Sequence, residues 1–211
     1  MSFRLTFGSL AGAAVSAALV VSAPAPARAD DAADLASAVA ALRAITTMRA
    51  DFIQADTNGQ RVGGVLTLKR PGKIRFQYER GVPMLVVSDG SALTFVDYEV
   101  RQVQRWPIKN SPLGALLDPS RDVGKYGRVI PTGSDRIVNV VVRDKARPEY
   151  GAITLVFTRK AGAPGGLELS SWAALDSQKR RTIVTLSNQQ YGMAVPDNTF
   201  RYSDPRSTVR R

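Results

Sequence analysis

The sequence has no cysteine among its 211 residues. This absence excludes disulfide bonds, thiolate catalysis and cysteine-ligated metal sites. Bacterial lipid anchoring requires a cysteine at the N-terminus that leader cleavage exposes, so we expect an exported chain without a lipid anchor. Stability must therefore come from an apolar core, and a chain of this length can bury one.

Histidine is also absent, which removes the commonest general base and the commonest metal ligand. The sequence contains no P-loop and no dinucleotide-binding fingerprint. Asp30, Asp31 and Asp34 cluster at the start of a helical pattern, where carboxylates complement the helix dipole. We therefore expect no enzyme, no catalytic residue, no cofactor and no metal site.

Long apolar runs are missing except near the N-terminus. There, Arg4 precedes an apolar run at 10–21 that is short for a membrane span, and Ala27-Arg28-Ala29 matches a leader cleavage signal. We interpret residues 1–29 as a signal peptide cleaved after Ala29, and residues 30–211 as a single mature domain. The expected protein is exported.

Acidic side chains are the scarcer charge, with 18 Asp and Glu against 29 Lys and Arg. Loss of Arg4 and Arg28 with the leader leaves 27 basic residues against 18 acidic ones, a net charge of about +9. An exported protein is not expected to bind nucleic acid. The charge is compatible with an anionic membrane surface, with an acidic protein partner, or with a merely solvated basic face.

Short alternating runs dominate the rest of the chain. A three-to-four residue apolar spacing predicts a helix at 34–47. Period-two patterns separated by turn dipeptides such as Asn58-Gly59 and Asp89-Gly90 predict antiparallel strands. The predicted strands are 50–56, 61–69, 73–79, 83–88, 92–97, 100–106, 126–131, 136–144, 151–159, 167–175 and 180–188. Gly63-Gly64 within the second strand suggests a bulge or bend.

Residues 110–118 interrupt the strand pattern and predict one short helix. Ser111 suits its N-cap and Pro112 its first helical position. The predicted fold is mainly β with a helical lid (α+β): a strongly curved antiparallel sheet of about eleven strands forms an unclosed β-barrel, which the helices cover.

Arg70 stands at the end of an apolar row that begins with Leu66 and Leu68. Pro71 and Gly72 then make a turn into the next strand. Two interpretations stay open from the pattern alone. The arginine reaches water from a strand end, or it stands at the rim of an apolar concavity and donates hydrogen bonds to whatever closes it.

A series of short motifs follows in a fixed order: Phe52-Ile53-Gln54, Arg70-Pro71-Gly72-Lys73-Ile74-Arg75-Phe76, Ser88-Asp89-Gly90, Leu93, Val96-Asp97, Ser111-Pro112-Leu113, 151–157, Trp172 and 182–186. In their order and spacing these motifs resemble the LolA family of periplasmic lipoprotein carriers. The resemblance covers essentially the whole expected mature chain. Family members often have an aromatic residue where this chain has Ile74, so the shape of the lining is expected to differ.

The resemblance implies a periplasmic chaperone that shields acyl chains in a hydrophobic cavity under a helical lid. Its implied partners are triacylated lipoproteins, an inner-membrane ABC transporter that releases them, and an outer-membrane receptor LolB where one is present. Arg70 takes the place of the family's lid arginine, so it is expected to hold the empty cavity shut. We expect a monomer.

The candidate cavity residues follow from strand parity under this interpretation, with ordinary core packing as the alternative for each. On the sheet they are Leu66, Leu68, Ile74, Phe76, Leu85, Val87, Phe95, Leu155 and Phe157. On the apolar face of the lid they are Leu113, Leu116 and Leu117. Two other functions stay open: a carrier of a free lipid or glycolipid, and a module that senses lipid or envelope stress with the same fold.

Overall fold

The computed structural model describes residues 27–108, 114–118 and 123–208. Most of the predicted signal peptide, Leu113 with the predicted helix cap at 111–112, and the last three residues lie outside the described residues. The helices are α1 (Ala27–Ala44), α2 (Gly114–Leu117) and α3 (Val123–Tyr126). The strands are β1 (Thr47–Ala55), β2 (Arg61–Lys69), β3 (Lys73–Tyr78), β4 (Met84–Asp89), β5 (Ala92–Asp97), β6 (Gln102–Pro107), β7 (Gly127–Ile130), β8 (Ile137–Val142), β9 (Ala152–Arg159), β10 (Leu167–Leu175) and β11 (Arg181–Tyr191).

All eleven strands form one antiparallel sheet in the order β6-β5-β4-β3-β2-β1-β11-β10-β9-β8-β7. Strands β6 and β7 are consecutive in the chain but lie at opposite edges. The connection between them, which contains α2 and α3, must therefore cross from one edge of the curved sheet to the other. The predicted unclosed sheet with a helix across its open side is confirmed.

Helix α1 packs on the inner face of the sheet, against β7, β8, β10 and α3. Ala38 and Leu42 are fully buried there, as the helical spacing predicts. The helix ends at Ala44 rather than at the predicted 47, and β1 begins earlier, at Thr47. The β-branched pair Thr46-Thr47 favours extended backbone, so the prediction was wrong at this boundary.

The two faces of the sheet bury different clusters. The inner face and the helices form the main core, in which Leu66, Leu155 and Phe157 are fully buried. The outer face carries a small second cluster made of Leu85, Val87, Val96 and Phe200. Phe200 is 5% exposed and closes the C-terminal segment against the sheet.

The C-terminal segment lies across the outer face, where the 3₁₀ helix Asp197–Phe200 contacts β3 and β4. Its Asp197 carboxylate accepts hydrogen bonds from Lys69 Nζ at 2.8 Å and Lys73 Nζ at 2.9 Å. Arg75 Nη1 donates to the Thr199 carbonyl at 3.2 Å. Because Lys69 and Lys73 flank the β2–β3 turn, the segment anchors that turn from outside.

Gly64 sits in the middle of β2 without any bulge, since β2 pairs with both β1 and β3 in unbroken register. Of the bulge or bend predicted at Gly63-Gly64, the bulge is therefore absent. A Cβ at position 64 would lie 2.2 Å from the Gln77 carbonyl oxygen, so no larger residue fits there. The missing side chain opens a gap between the partners of Gly64 on the two neighbouring strands, Phe52 and Tyr78, whose rings meet edge to face at 5.3 Å.

No described helix combines the length and the apolar character that crossing a membrane requires.

Candidate functional site

Arg70 lies in the β2–β3 turn and joins the ends of two helices. Its Nε donates to the carbonyls of Leu42, at 3.0 Å, and Ile45, at 2.9 Å, at the C-terminal end of α1. Its Nη1 donates to the Leu117 carbonyl at 2.8 Å and its Nη2 to the Leu116 carbonyl at 3.1 Å, at the end of α2. One side chain thus ties the lid, by which we mean α2, to the rest of the protein.

The contacts suit the charge of the guanidinium. The last carbonyls of a helix have no partner within the helix and carry partial negative charge, which a cation stabilises. Burial lowers the pKa of Arg70 to about 10, and the charge of nearby Asp118 opposes that shift. Arg70 is therefore fully protonated at neutral pH, and it donates from inside the protein.

The lid contributes little structure of its own. It is a single four-residue turn, and its residues are all buried. A helix this short is unstable in isolation, so packing and the Arg70 hydrogen bonds must hold it in place. Leu116 and Leu117 belong to the same buried cluster as Leu68 and Ile74 on the sheet. Leu113, which was predicted to share this apolar face, lies outside the described residues.

A cavity of about 550 Å³ opens on the inner face beside the packed core. Its walls come from strands on both sides of β1, and its rim includes the turn between β10 and β11 and the exposed residue Glu149. The lining residues are Gln54, Phe76, Tyr78, Val86, Leu93, Phe95, Trp106, Glu149, Trp172, Ala174, Asp176, Ser177, Gln178, Arg180, Thr182 and Val184.

Aromatic rings dominate the apolar part of this lining. Phe76 contacts Phe52 with ring centroids 5.3 Å apart and Trp172 with centroids 6.1 Å apart, both edge to face. Trp106 at the edge strand is 43% exposed, which is unusual for so large an apolar side chain. The cavity is thus an open, apolar space suited to non-directional binding.

The predicted cavity residues fall into three groups. Phe76 and Phe95 line the cavity. A second group is buried in the main core with α1 and the lid and does not contribute to the lining of this cavity: Leu66, Leu68, Ile74, Leu155 and Phe157.

Leu85 and Val87 form the third group, and the structure corrects their placement. They lie in the outer cluster with Phe200, on the face away from the cavity. Their neighbour Val86 faces inward instead and lines the cavity. The run Met84–Asp89 begins with four consecutive apolar residues, because both faces of this strand are covered, and such a run gives no alternation from which to read the parity.

Several lining residues were missed by the sequence reasoning. Tyr78 shares its strand row with Ile74 and Phe76, so strand parity could have included it. Trp172 faces inward on β10, and its size alone favours a place in the core or cavity wall. No such signal marks Trp106 or the turn residues at 176–180, because their positions beside the cavity depend on how the whole sheet curves.

One polar pair interrupts the apolar wall. Tyr78 Oη donates to Gln54 Oε1 at 2.9 Å, across the gap left by Gly64. Burial raises the pKa of Tyr78 to about 12, so its hydroxyl stays protonated at neutral pH. Within the described ranges, no three histidine, cysteine or acidic side chains lie close enough together to hold a metal ion.

Comparison with known proteins identifies the family of this chain. The family model described as "Outer membrane lipoprotein carrier protein LolA" matches residues 43–203, about three quarters of the chain. The chain belongs to the LolA family. The resemblance noted in the sequence motifs is thereby confirmed over the sheet, the β2–β3 turn and the lid connection.

Named LolA relatives span nearly the same length. An outer-membrane lipoprotein carrier protein of Chromobacterium violaceum is 28% identical and covers 81% of this chain and 85% of its own. An outer-membrane lipoprotein carrier protein of Dechloromonas aromatica is 29% identical and covers 78% of this chain and 80% of its own. A crystal structure of a LolA superfamily protein from Nitrosomonas europaea aligns with a TM-score of 0.47 at 10% identity, covering 81% of this chain and 96% of that one.

Proposed function

We propose that this LolA-family protein is a periplasmic carrier that shields the acyl chains of lipoproteins on their way to the outer membrane. The observation that carries the proposal is the closure around Arg70: one half-buried cation holds a four-residue apolar lid onto the core that adjoins an open cavity. Its relatives' names, which describe outer-membrane lipoprotein carriers, support the cargo class.

The energetics of such a carrier require a lid that opposes binding. Burying one methylene contributes about 0.8 kcal/mol, so an acyl chain of about sixteen carbons represents on the order of 12 kcal/mol. A carrier that captured this whole amount could not release its cargo. Lid closure competes with the acyl chain, since Leu116 and Leu117 cover apolar surface that the chain would otherwise occupy.

Arg70 sets the strength of this competition in the proposed mechanism. In the empty protein it holds the lid by the carbonyls of Leu116 and Leu117, and cargo enters when those two hydrogen bonds break. Its bonds to the end of α1 are independent of the lid, so the side chain stays positioned to close the lid again after release. The source of cargo in this proposal is an inner-membrane ABC transporter, and the acceptor is a LolB-like receptor in the outer membrane.

The test uses inner-membrane vesicles that contain the energised transporter and a labelled triacylated lipoprotein. The protein purified from the periplasm is added, and soluble material is separated by gel filtration. Label that co-elutes with the protein is the expected result. If label stays in the membrane while the protein binds a fluorescent fatty acid, the cargo is a free lipid instead. If neither binds, the carrier proposal is wrong.

A further inference from the structure

The Gln54 side chain has one polar atom without a hydrogen-bond partner among the described residues. Its Oε1 accepts the Tyr78 hydroxyl at 2.9 Å, while its Nε2 donates to no other described residue. Gln54 lines the cavity and is only partly buried. Among the described side chains, the polar atoms that are buried and lack a partner are Asn139 Oδ1 and Tyr191 Oη. Gln54 Nε2 also lacks a partner but does not belong to this buried set, so it is accessible from the cavity.

The backbone and the aromatic cluster fix the direction of this amide. Gln54 sits on the inner face of β1, opposite Val62 on one side and Val184 on the other. Tyr78 reaches it diagonally over Gly64, and the Tyr78 ring packs edge to face on Phe52. A hydroxyl that stays protonated at neutral pH holds the amide oxygen, which leaves the amide N–H groups as donors.

The free Gln54 donor lies beside the aromatic rings of the wall and favours a ligand with an isolated acceptor. A carboxylate would lose its hydration against apolar rings at a high cost, and the charge of Arg180, a cation of this lining, is offset by its ion pair with Asp176 at 2.7 Å. A purely alkyl ligand would leave the amide without its hydrogen bond to water. A neutral carbonyl oxygen at the head of an acyl chain satisfies the donor at the smallest desolvation cost.

We propose that Gln54 Nε2 donates a hydrogen bond to the carbonyl oxygen of an ester- or amide-linked acyl chain, and that Tyr78 orients Gln54 for this contact. The inference rests on the proposed carrier function and deepens it. It makes the cavity selective for acyl over alkyl chains, and it fixes how deeply the head of the chain enters. The rest of the chain is then bound non-directionally by the aromatic wall.

The experiment compares two fluorescent lipopeptides that differ only in their linkage. One has two ester-linked C16 chains on a thioether-bound glycerol, and the other has ether-linked C16 chains without carbonyls. One neutral hydrogen bond corresponds to about five- to tenfold in affinity, so the ester form is expected to bind wild-type protein that much more tightly. Gln54→Leu is expected to remove the preference, and Tyr78→Phe to reduce it.

The control variant is Gln190→Leu, the same replacement at an exposed position of β11, which is expected to keep the preference. Equal binding of ester and ether forms by wild-type protein would overturn the inference while leaving the carrier function standing. A preference for the ester form that persists in Gln54→Leu would also overturn the inference. Binding of neither lipopeptide would overturn both proposals.

A second measurement covers the case in which Gln54→Leu does not fold. Wild-type protein is loaded with the ester lipopeptide carrying ¹³C-labelled carbonyls, and the isotope-shifted carbonyl band is recorded by infrared spectroscopy. A band component displaced to lower frequency, relative to the same lipopeptide in alkane solvent, is expected for a hydrogen-bonded carbonyl. If the carbonyl band is that of the free ester, the inference is wrong.

Discussion

Replacing Arg70 by leucine should open the lid without unfolding the sheet. The two bonds to Leu116 and Leu117 are charge-assisted, and each such bond contributes about 1.5–3 kcal/mol. Arg70 is only half-buried and the freed carbonyls regain water when the lid moves, so we take the lower bound for each bond. The expected loss is then about 3 kcal/mol of closure energy, which raises the open population about 100-fold.

Hydrogen exchange at the lid measures this population directly. The Asp118 amide donates to the Gly114 carbonyl at 2.8 Å, and this bond closes the lid turn. Its protection factor should fall about 100-fold in Arg70→Leu. The protection factor in Arg70→Lys should lie between those of wild type and Arg70→Leu, because one ammonium cannot reach both helix ends in the way the planar guanidinium does. Amides in the centre of β10 should keep their protection, which separates lid opening from global unfolding.

Arg75→Leu provides the matched control, since Arg75 lies on the outer face and donates to the C-terminal segment instead. It should leave the Asp118 amide protected. In the carrier assay, Arg70→Leu should load cargo and release it to an acceptor more slowly than wild type. Unchanged lid protection, or wild-type transfer rates in Arg70→Leu, would refute the role given to Arg70.

Three further predictions concern other parts of the structure. Gly64→Ala should lower the free energy of unfolding by about 1–3 kcal/mol in denaturant titration, because the new Cβ meets a backbone carbonyl; wild-type stability would contradict this. The two lysines lower the pKa of Asp197 to about 2, so its carboxylate stabilises the turn above about pH 4 and loses this effect as the pH falls through 2. Asp197→Asn should therefore speed hydrogen exchange of amides in the β2–β3 turn at pH 6, whereas Asp204→Asn should not. Val87→Ala should reduce stability but leave lipopeptide affinity unchanged, whereas Phe95→Ala should weaken lipopeptide binding; the reverse pattern would contradict the assignment of faces.

Strand positions could be predicted well where alternation and turn chemistry agree. The bounds of β2, β5 and β10 match the predicted ones residue for residue, because polar and apolar residues alternate there or turn dipeptides flank the strand. The end of α1 was placed too late. Ile45 continues the helical spacing and is buried, yet it reaches the core from the turn after the helix.

The candidate site residues differ in how well the sequence could place them. Arg70 could be singled out because a charge at the end of an apolar row is unusual in a strand. Leu85 and Val87 were placed on the wrong face because a C-terminal segment far away in sequence covers the outer side of β4. Leu66 and Phe157 are apolar and face inward as predicted, but no pattern shows whether such a residue contacts a cavity or packed side chains.

Gln54 illustrates a third case. It belongs to a quoted sequence motif, yet its partner Tyr78 is two strands away in the sheet. Their contact depends on the glycine between them. Neither the register of β1, β2 and β3 nor the gap at Gly64 can be derived from any one strand, because both are properties of three strands together.

The closed lid and an acyl chain have comparable energies under the proposed function. Full burial of Leu116 and Leu117 contributes about 1.5–3 kcal/mol each, and the two Arg70 bonds add about 3 kcal/mol. Closure is then worth about 6–9 kcal/mol against about 12 kcal/mol for one sixteen-carbon chain. The difference leaves a few kcal/mol for net binding, which is enough to extract cargo and small enough to release it to a better acceptor. Replacement of Arg70 therefore raises the affinity for cargo about 100-fold, and a carrier that binds its cargo this tightly releases it too slowly to the acceptor.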